Sequence, residues 1–193
     1  MNASRSVKKS HSREPRGLVR PPASDRALRS FLEVRGYVGV PLERNAVGHF
    51  QMRGSMSGLP ALFLLDTGAS HTVLACRRLA AFGLRQRKTA QKAGGLGTTV
   101  QAVFRARARS LALGSVEIGP RTVNAIDLSH VNAALTGHRS EAVDGVVGGD
   151  LLSALAAVID YTGGVLYLKR RRSKGKSRRS EVVLAQPRAS ARG

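Results

Sequence analysis

Residues 60–74, PALFLLDTGASHTVL, place an Asp-Thr-Gly tripeptide directly after a run of apolar residues. The run has the length and composition of a buried strand. A carboxylate at the end of such a strand is expected to lose part of its hydration, and Gly68 permits a tight loop whose N–H groups point back at it. Asp66 is therefore the first candidate for a functional residue, although an ordinary Asx-type turn also explains this tripeptide.

The charge of the chain is concentrated at its two ends. The 193 residues carry a net charge of +20, and residues 169–193 alone hold ten Lys and Arg against one Glu. The absence of an apolar period predicts disordered basic tails at 1–30 and 170–193. Such tails attract nucleic acid or an anionic surface weakly. Solvated ends are the favoured alternative, because no aromatic residues are interleaved for base stacking.

Residues 31–169 are predicted to form one all-β domain, a closed β-barrel of a single lobe with one or two short helices. Short apolar runs broken by glycine are typical of such folds. The stretch 103–113 (VFRARARSLAL) alternates as a half-exposed strand does, and 158–168 (VIDYTGGVLYL) indicates a hairpin. Helices are predicted at 75–84 and at 150–157, the second beginning with an aspartate suited to an N-cap.

The other reactive side chains indicate no competing site. The five histidines lack the spacing of metal ligands, so neither a metal nor another cofactor is predicted. Cys76 is the single cysteine and has no nearby base in sequence, so a small buried residue is the better interpretation. No run approaches the roughly 18 apolar residues of a membrane span, and the N-terminus lacks the apolar segment of a secretory signal. We therefore expect a cytoplasmic protein.

A second segment gives Asp66 a context. In residues 143–155, VDGVVGGDLLSAL, a buried strand ends at Gly148 just before a short helix. LLDTGAS followed by this pattern resembles the retropepsin-like aspartic proteases, that is, the retroviral proteases and their single-domain bacterial relatives. The resemblance covers about residues 36–169. It implies a homodimeric aspartic endopeptidase that acts on polypeptides without a metal or cofactor.

The chain has one Asp-Thr-Gly, whereas the chemistry of the family uses two carboxylates that share a proton. The resemblance therefore implies that Asp66 meets Asp66 of a second copy across a two-fold axis. Thr67 would bond across that axis, and Gly68 would hold the substrate backbone. The positions that it implies for substrate binding are Ala69, Ser70, Gly94, Gly95, Leu96 and Val147.

Three points stay open at this stage. A flap over the substrate is expected within 91–99 (QKAGGLGTT), where a plain hairpin turn is an equal alternative. Retroviral proteases usually carry an acid two residues after the motif glycine and an arginine after the second motif's glycine. Here these positions hold Ser70 and Gly149, so that ion pair is not expected. A non-catalytic peptide-binding or assembly module on the same fold is the alternative function.

Overall fold

The computed structural model describes residues 23–93 and 101–169. Residues 1–22 of the tail predicted at 1–30, the whole tail predicted at 170–193, and the flap residues Gly94, Gly95 and Leu96 lie outside the described residues. The helices are α1 (Ala23–Val34), α2 (Ser129–Gly137) and α3 (Gly149–Ala154), with a 3₁₀ turn at Cys76–Arg78. The strands are β1 (Tyr37–Pro41), β2 (Glu43–Arg44), β3 (Phe50–Met56), β4 (Leu59–Leu65), β5 (Val73–Ala75), β6 (Arg87–Ala93), β7 (Gln101–Ala108), β8 (Leu111–Leu113), β9 (Val116–Glu117), β10 (Arg121–Ile126), β11 (Gly145–Val147), β12 (Val158–Asp160) and β13 (Val165–Lys169).

The described strands form two sheets. The larger has the order β6-β7-β10-β5-β11-β4-β3-β8-β9, with β2 paired to β3, and the smaller has the order β1-β13-β12. The mostly β architecture predicted from the sequence is confirmed. The closed barrel is not, because β6 and β9 end the large sheet without pairing with each other in the described part of the chain.

Strand β4 occupies the centre of the large sheet and is buried on both faces. This explains its continuous apolar run, since a strand covered on both sides has no solvent face to alternate with. The residues that face the main core are Ala61, Phe63 and Leu65, and those that face the smaller cluster beside α2 are Leu62 and Leu64. Strand β11 runs parallel to β4, with Val147 opposite Leu65. The chain that follows Leu65 therefore lies beside the start of α3.

The helix predicted at 150–157 is confirmed as α3, but its N-cap is Gly148 and not Asp150. Where a helix was predicted at 75–84, the structure has the 3₁₀ turn Cys76–Arg78, and further turns follow it as far as Gly83. Gly83 has a φ of 65°, a left-handed conformation that glycine adopts without strain. No helix in the described ranges is long and apolar enough to cross a bilayer.

Two helices differ from the prediction. Helix α1 begins at Ala23, inside the segment predicted to be disordered, because Leu28 and Leu32 lie one turn apart and give it an apolar side on which Leu32 is buried. Helix α2 was not predicted at all. Its buried face includes Asn132, whose amide bonds both backbone groups of Val143, so the apolar period is interrupted.

Asp144 joins the central strands just before β11. Its Oδ2 accepts a hydrogen bond from the Leu62 N–H at 2.8 Å, and its Oδ1 accepts one from Arg78 Nε at 2.5 Å. Its carbonyl oxygen accepts a third from the Ala75 N–H at 2.8 Å. One half-buried residue thus connects β4, β5 and the 3₁₀ turn.

Replacing Asp144 with alanine is expected to lower the free energy of unfolding by about 2–4 kcal/mol, because the Leu62 N–H and the Arg78 guanidinium lose their partner. Urea unfolding followed by circular dichroism measures this loss. Glu117→Ala is the control, since Glu117 is exposed on β9 and should change the free energy by less than about 0.5 kcal/mol. Equal losses in the two variants would contradict the connecting role of Asp144.

Candidate active site

The Asp-Thr-Gly loop folds back on its own carboxylate. Asp66 stays attached to the sheet through its N–H, which donates to the Val147 carbonyl at 3.1 Å. The Gly68 N–H donates to Asp66 Oδ1 at 2.9 Å, as the sequence predicted for a loop at this glycine. A Cβ atom at position 68 would lie only 3.2 Å from that oxygen. Glycine therefore allows the backbone to approach the carboxylate closely.

Asp66 itself faces solvent in the single chain. Asp66, Thr67, Gly68 and Ser70 are exposed and Ala69 is half-buried, whereas Leu65 is buried. The expected desolvation of the carboxylate is therefore wrong for the single chain, because burial stops at the last residue of β4. Asp66 Oδ2 accepts no hydrogen bond from any residue that the structure describes. The loop thus presents one carboxylate oxygen outward at the end of a fixed strand.

A partly buried polar contact fixes the far end of this loop. Thr72 is 4% exposed, and both its N–H and its Oγ1 donate to Asp150 Oδ1 at 2.7 Å. Thr72 Oγ1 also accepts a hydrogen bond from the Gly148 N–H at 3.1 Å, and Asp150 Oδ1 accepts one from the Leu151 N–H at 2.8 Å. We call this arrangement the Thr72–Asp150 bridge. It connects the Asp66 loop to the first turn of α3.

Backbone hydrogen bonds complete the connection. The Gly149 N–H donates to the Ala69 carbonyl at 2.8 Å, and the Asp150 N–H donates to the Ser70 carbonyl at 3.2 Å. Main-chain hydrogen bonds thus connect the Asp66 loop to the start of α3, at the positions where retroviral proteases usually have an ion pair. A Cβ at Gly148 would lie 2.7 Å from the carbonyl oxygens of Ala69 and His71, so the two segments pack together only with glycine there.

The other predicted site residues divide into two groups. Val147 is fully buried in the main core, so its side chain does not reach the surface of the site and its contribution is the carbonyl that holds Asp66. Gly94, Gly95 and Leu96 are outside the described residues. Cys76 is half-buried, and burial raises the pKa of its thiol, with the charge of Asp127 adding to the effect. A thiol in this environment is disfavoured as a nucleophile.

Sequence reasoning missed the supporting residues of the site. The local pattern assigned Asp150 to capping, and no role was predicted for Thr72. The available signal was a threonine directly before the apolar segment Val73–Ala75, because a polar group next to such a segment is costly to bury unless it has a partner. Among the described residues, no three His, Cys, Asp or Glu side chains come together as metal ligands.

Comparison with known proteins identifies the family. Residues 52–151, just over half of the chain, match a family model described as aspartyl protease. The chain belongs to the aspartyl protease family. The matched range includes both Asp66-Thr67-Gly68 and Val146-Val147-Gly148, the two segments on which the resemblance rested. The family predicted from the sequence is therefore confirmed. No curated protein sequence gives a significant match.

Three solved structures are similar to this aspartyl protease family member. A retropepsin-like aspartic protease from Rickettsia conorii is 20% identical, with a TM-score of 0.44, and the match covers 70% of this chain and 91% of that one. The EIAV protease in complex with the inhibitor HBY-793 is 21% identical, with a TM-score of 0.42 and coverages of 57% and 90%. The retroviral protease-like domain of Ddi1 from Leishmania major is 16% identical, with a TM-score of 0.43 and coverages of 61% and 86%.

Thr72→Val is expected to lower the free energy of unfolding by about 2–3 kcal/mol, because the variant keeps the side-chain shape but leaves the Gly148 N–H buried without an acceptor. Thr72→Ser keeps the hydroxyl and should lose only about 1 kcal/mol, the cost of one buried methyl group. Thermal or urea unfolding of the two variants measures the difference. A valine variant as stable as the serine variant would show that the bridge does not hold the loop.

Proposed function

We propose that this protein is an aspartic endopeptidase, and that it hydrolyses peptide bonds through a water held between Asp66 of one protomer and Asp66 of a second copy. Membership of the aspartyl protease family supports a peptidase. The observation that carries the dimeric form of the proposal is the state of the other aspartates in the domain, each of which is already engaged by its own surroundings.

Four further aspartates lie between residues 127 and 160, and each carboxylate has local partners. Asp127 accepts hydrogen bonds from the N–H and hydroxyl of Ser129, and Asp160 accepts bonds from two N–H groups of its own hairpin turn. Asp144 and Asp150 belong to the contacts that hold the central strands and the Asp66 loop. Asp160 Oδ2 has no partner among the described residues, but it is buried in the hairpin of β12 and β13. None of the four is directly followed by Thr-Gly at the end of an apolar strand, so a second copy of Asp66 is the natural source of the second carboxylate.

A pair of such carboxylates can divide the chemistry between them. Two like charges in close contact do not both ionise, so one proton is shared by the pair. The ionised member takes a proton from the water, whose oxygen attacks the peptide carbonyl carbon, and the protonated member donates to the carbonyl oxygen. Collapse of the tetrahedral intermediate then breaks the C–N bond as the amine accepts a proton. No covalent bond forms to the enzyme.

The neighbouring residues of the loop take supporting roles in this proposal. Gly68 keeps Asp66 oriented, because its N–H bonds Oδ1 and its missing Cβ leaves that oxygen in place. The exposed Thr67 hydroxyl would bond to the second copy beneath the carboxylate pair. Ala69 and Ser70 would line the floor of the cleft, where a polypeptide binds in an extended conformation. Gly94, Gly95 and Leu96 would cover the bound chain as a flap.

Asp66→Asn is expected to reduce cleavage by at least about 100-fold, because an amide can act neither as base nor as acid. Digestion of a peptide library, with mass-spectrometric detection and with and without a pepstatin-type inhibitor, measures this effect. Folding should be preserved, since the side chain accepts one hydrogen bond at an exposed position. Asp127→Asn is the matched control and should cleave normally. Undiminished cleavage by the Asp66 variant would overturn the proposal.

Mixing the two forms tests whether the site is shared. If each site needs two copies of Asp66, a ninefold excess of the Asp66→Asn chain over a fixed amount of wild type should lower activity to about one-tenth after exchange of subunits, because most wild-type chains then pair with the variant. An equal mass of an inert protein should have no effect. Activity that stays constant as the variant is added would show that one chain contains a complete site.

A non-catalytic peptide-binding or assembly module is the second candidate, and the single Asp-Thr-Gly motif per chain favours it if no dimer forms. Sedimentation of the wild-type protein across a range of concentrations separates the two functions. A chain that remains monomeric at high concentration, and that binds peptides without cleaving them, would support the module.

A further inference from the structure

A groove on the outer face of strands β6 and β7 carries a dense positive charge. Its volume is about 950 Å³, and it lies on the side of the sheet away from the main core, where the arginines of β7 alternate with buried alanines. We call it the cationic groove. Its cationic lining residues are Arg85, Arg87, Lys88, Arg105, Arg107 and Arg109.

This charge is not balanced within the described part of the chain. No acidic side chain lines the cationic groove, and among the described residues Arg85, Arg107 and Arg109 form no ion pair. Arg87 and Arg105 stand directly opposite each other on paired strands. Like charges in that position destabilise a sheet. Mutual repulsion among the cations of the groove favours the binding of an anionic ligand, because the ligand neutralises that repulsion.

The cationic groove continues toward the candidate active site. A second cavity of about 350 Å³ adjoins it, and the two share Arg105 and Thr122 in their linings. The second cavity is also lined by His71, which follows the Asp66 loop, and by both residues of the Thr72–Asp150 bridge. Asp150 is the one acidic side chain in this lining, and its Oδ1 already accepts three hydrogen bonds. A chain that leaves the site past His71 therefore has a continuous path into the cationic groove.

Two features indicate that the anion belongs to a polypeptide. No Phe, Tyr or Trp side chain lines either cavity, and His71 is the one ring in the two linings, so the run of stacking surfaces that single-stranded nucleic acids use is missing there. Four consecutive residues of β6, Arg87 to Ala90, line the cationic groove, and β6 is the edge strand of the described sheet, so an extended chain fits alongside it. In the second cavity, Arg121 Nη1 is buried without a hydrogen-bond partner among the described residues, so it is an available donor for a carboxylate.

We propose that the cationic groove binds an acidic segment of the polypeptide substrate, several residues away from the bond that is cleaved. This assignment rests on the proposed endopeptidase function and adds a substrate class to it, namely proteins with a run of Asp or Glu beside the cleavage site. The groove would raise affinity for such proteins and leave the chemistry at Asp66 unchanged.

Binding is tested first without catalysis, in the full-length Asp66→Asn chain. The probe is a fluorescently labelled peptide of ten glutamates, with a ten-glutamine peptide for comparison, and anisotropy reports the dissociation constant at low and high salt. Adding Arg85→Gln, Arg87→Gln and Arg107→Gln should weaken glutamate binding by about tenfold, since three exposed charge contacts are lost. Thermal stability should not fall, because the three side chains are exposed and Arg87→Gln removes the repulsion with Arg105.

The control carries the same loss of charge elsewhere. Arg26→Gln, Arg77→Gln and Lys169→Gln remove three exposed cations that line no part of the cationic groove. Because both triple variants keep every basic residue of 1–22 and 170–193, the difference between them isolates the groove. The control should weaken binding by less than about twofold. Equal weakening in both, or tighter groove-dependent binding of an RNA or DNA oligonucleotide of the same charge, would overturn the proposal.

Cleavage provides the second test. A peptide that the wild type cleaves is prepared with and without four glutamates appended to either end, and the ratio of kcat/KM for the two forms is measured. The ratio should exceed about ten in wild type and in the control variant, through a lower KM, and fall close to one in the groove variant. A ratio near one in wild type would refute the groove assignment and leave the endopeptidase proposal intact. If no peptide is cleaved, the endopeptidase proposal fails and the binding measurement alone decides the groove.

Discussion

The contact between the buried Thr72 and the more exposed Asp150 is the interaction on which the rest of the site depends. The Asp66 loop buries little apolar surface of its own, because most residues from Asp66 to His71 are exposed. Its conformation is therefore set by polar contacts with the start of α3. In that contact, the Thr72 hydroxyl donates a hydrogen bond to Asp150 and accepts one from the Gly148 N–H, so it is paired both as a donor and as an acceptor. Buried polar groups connected in this way hold a single geometry, since breaking one bond leaves others unpaired.

These polar contacts explain how the exposed carboxylate of Asp66 can have a precise position. Burial of Asp66 in the single chain would carry a desolvation cost that nothing in its surroundings offsets. The chain instead fixes the backbone on both sides, through the sheet and through the Thr72–Asp150 bridge, and leaves the carboxylate in water. In the proposed dimer, water is excluded only when a second copy and a polypeptide cover the site, which is when a low-dielectric environment strengthens the electrostatic interactions of the reaction.

Local features were predictable from the sequence, whereas features that depend on distant partners were not. The strand before Asp66, the turn at Gly68 and the hairpin of β12 and β13 all follow from neighbouring residues, and the structure contains each of them. Helix α2 escaped prediction because Asn132 lies on its buried face, where it is satisfied by a loop residue outside the helix. The aspartate that begins the predicted second helix has the local pattern of an N-cap, yet its carboxylate bonds a threonine 78 positions earlier in the chain.

The sequence by itself determined that this chain has one Asp-Thr-Gly motif at the end of an apolar strand, and a second glycine-ended strand before a short helix. These features are written in contiguous residues and need no knowledge of the fold. The tertiary structure decided which partners engage each aspartate, and that the carboxylate of Asp66 lies exposed at the end of a fixed strand. It also decided that arginines on two strands share a groove beside the site. Alternation along a strand shows which side chains share a face, but strand order and long-range contacts decide what that face meets.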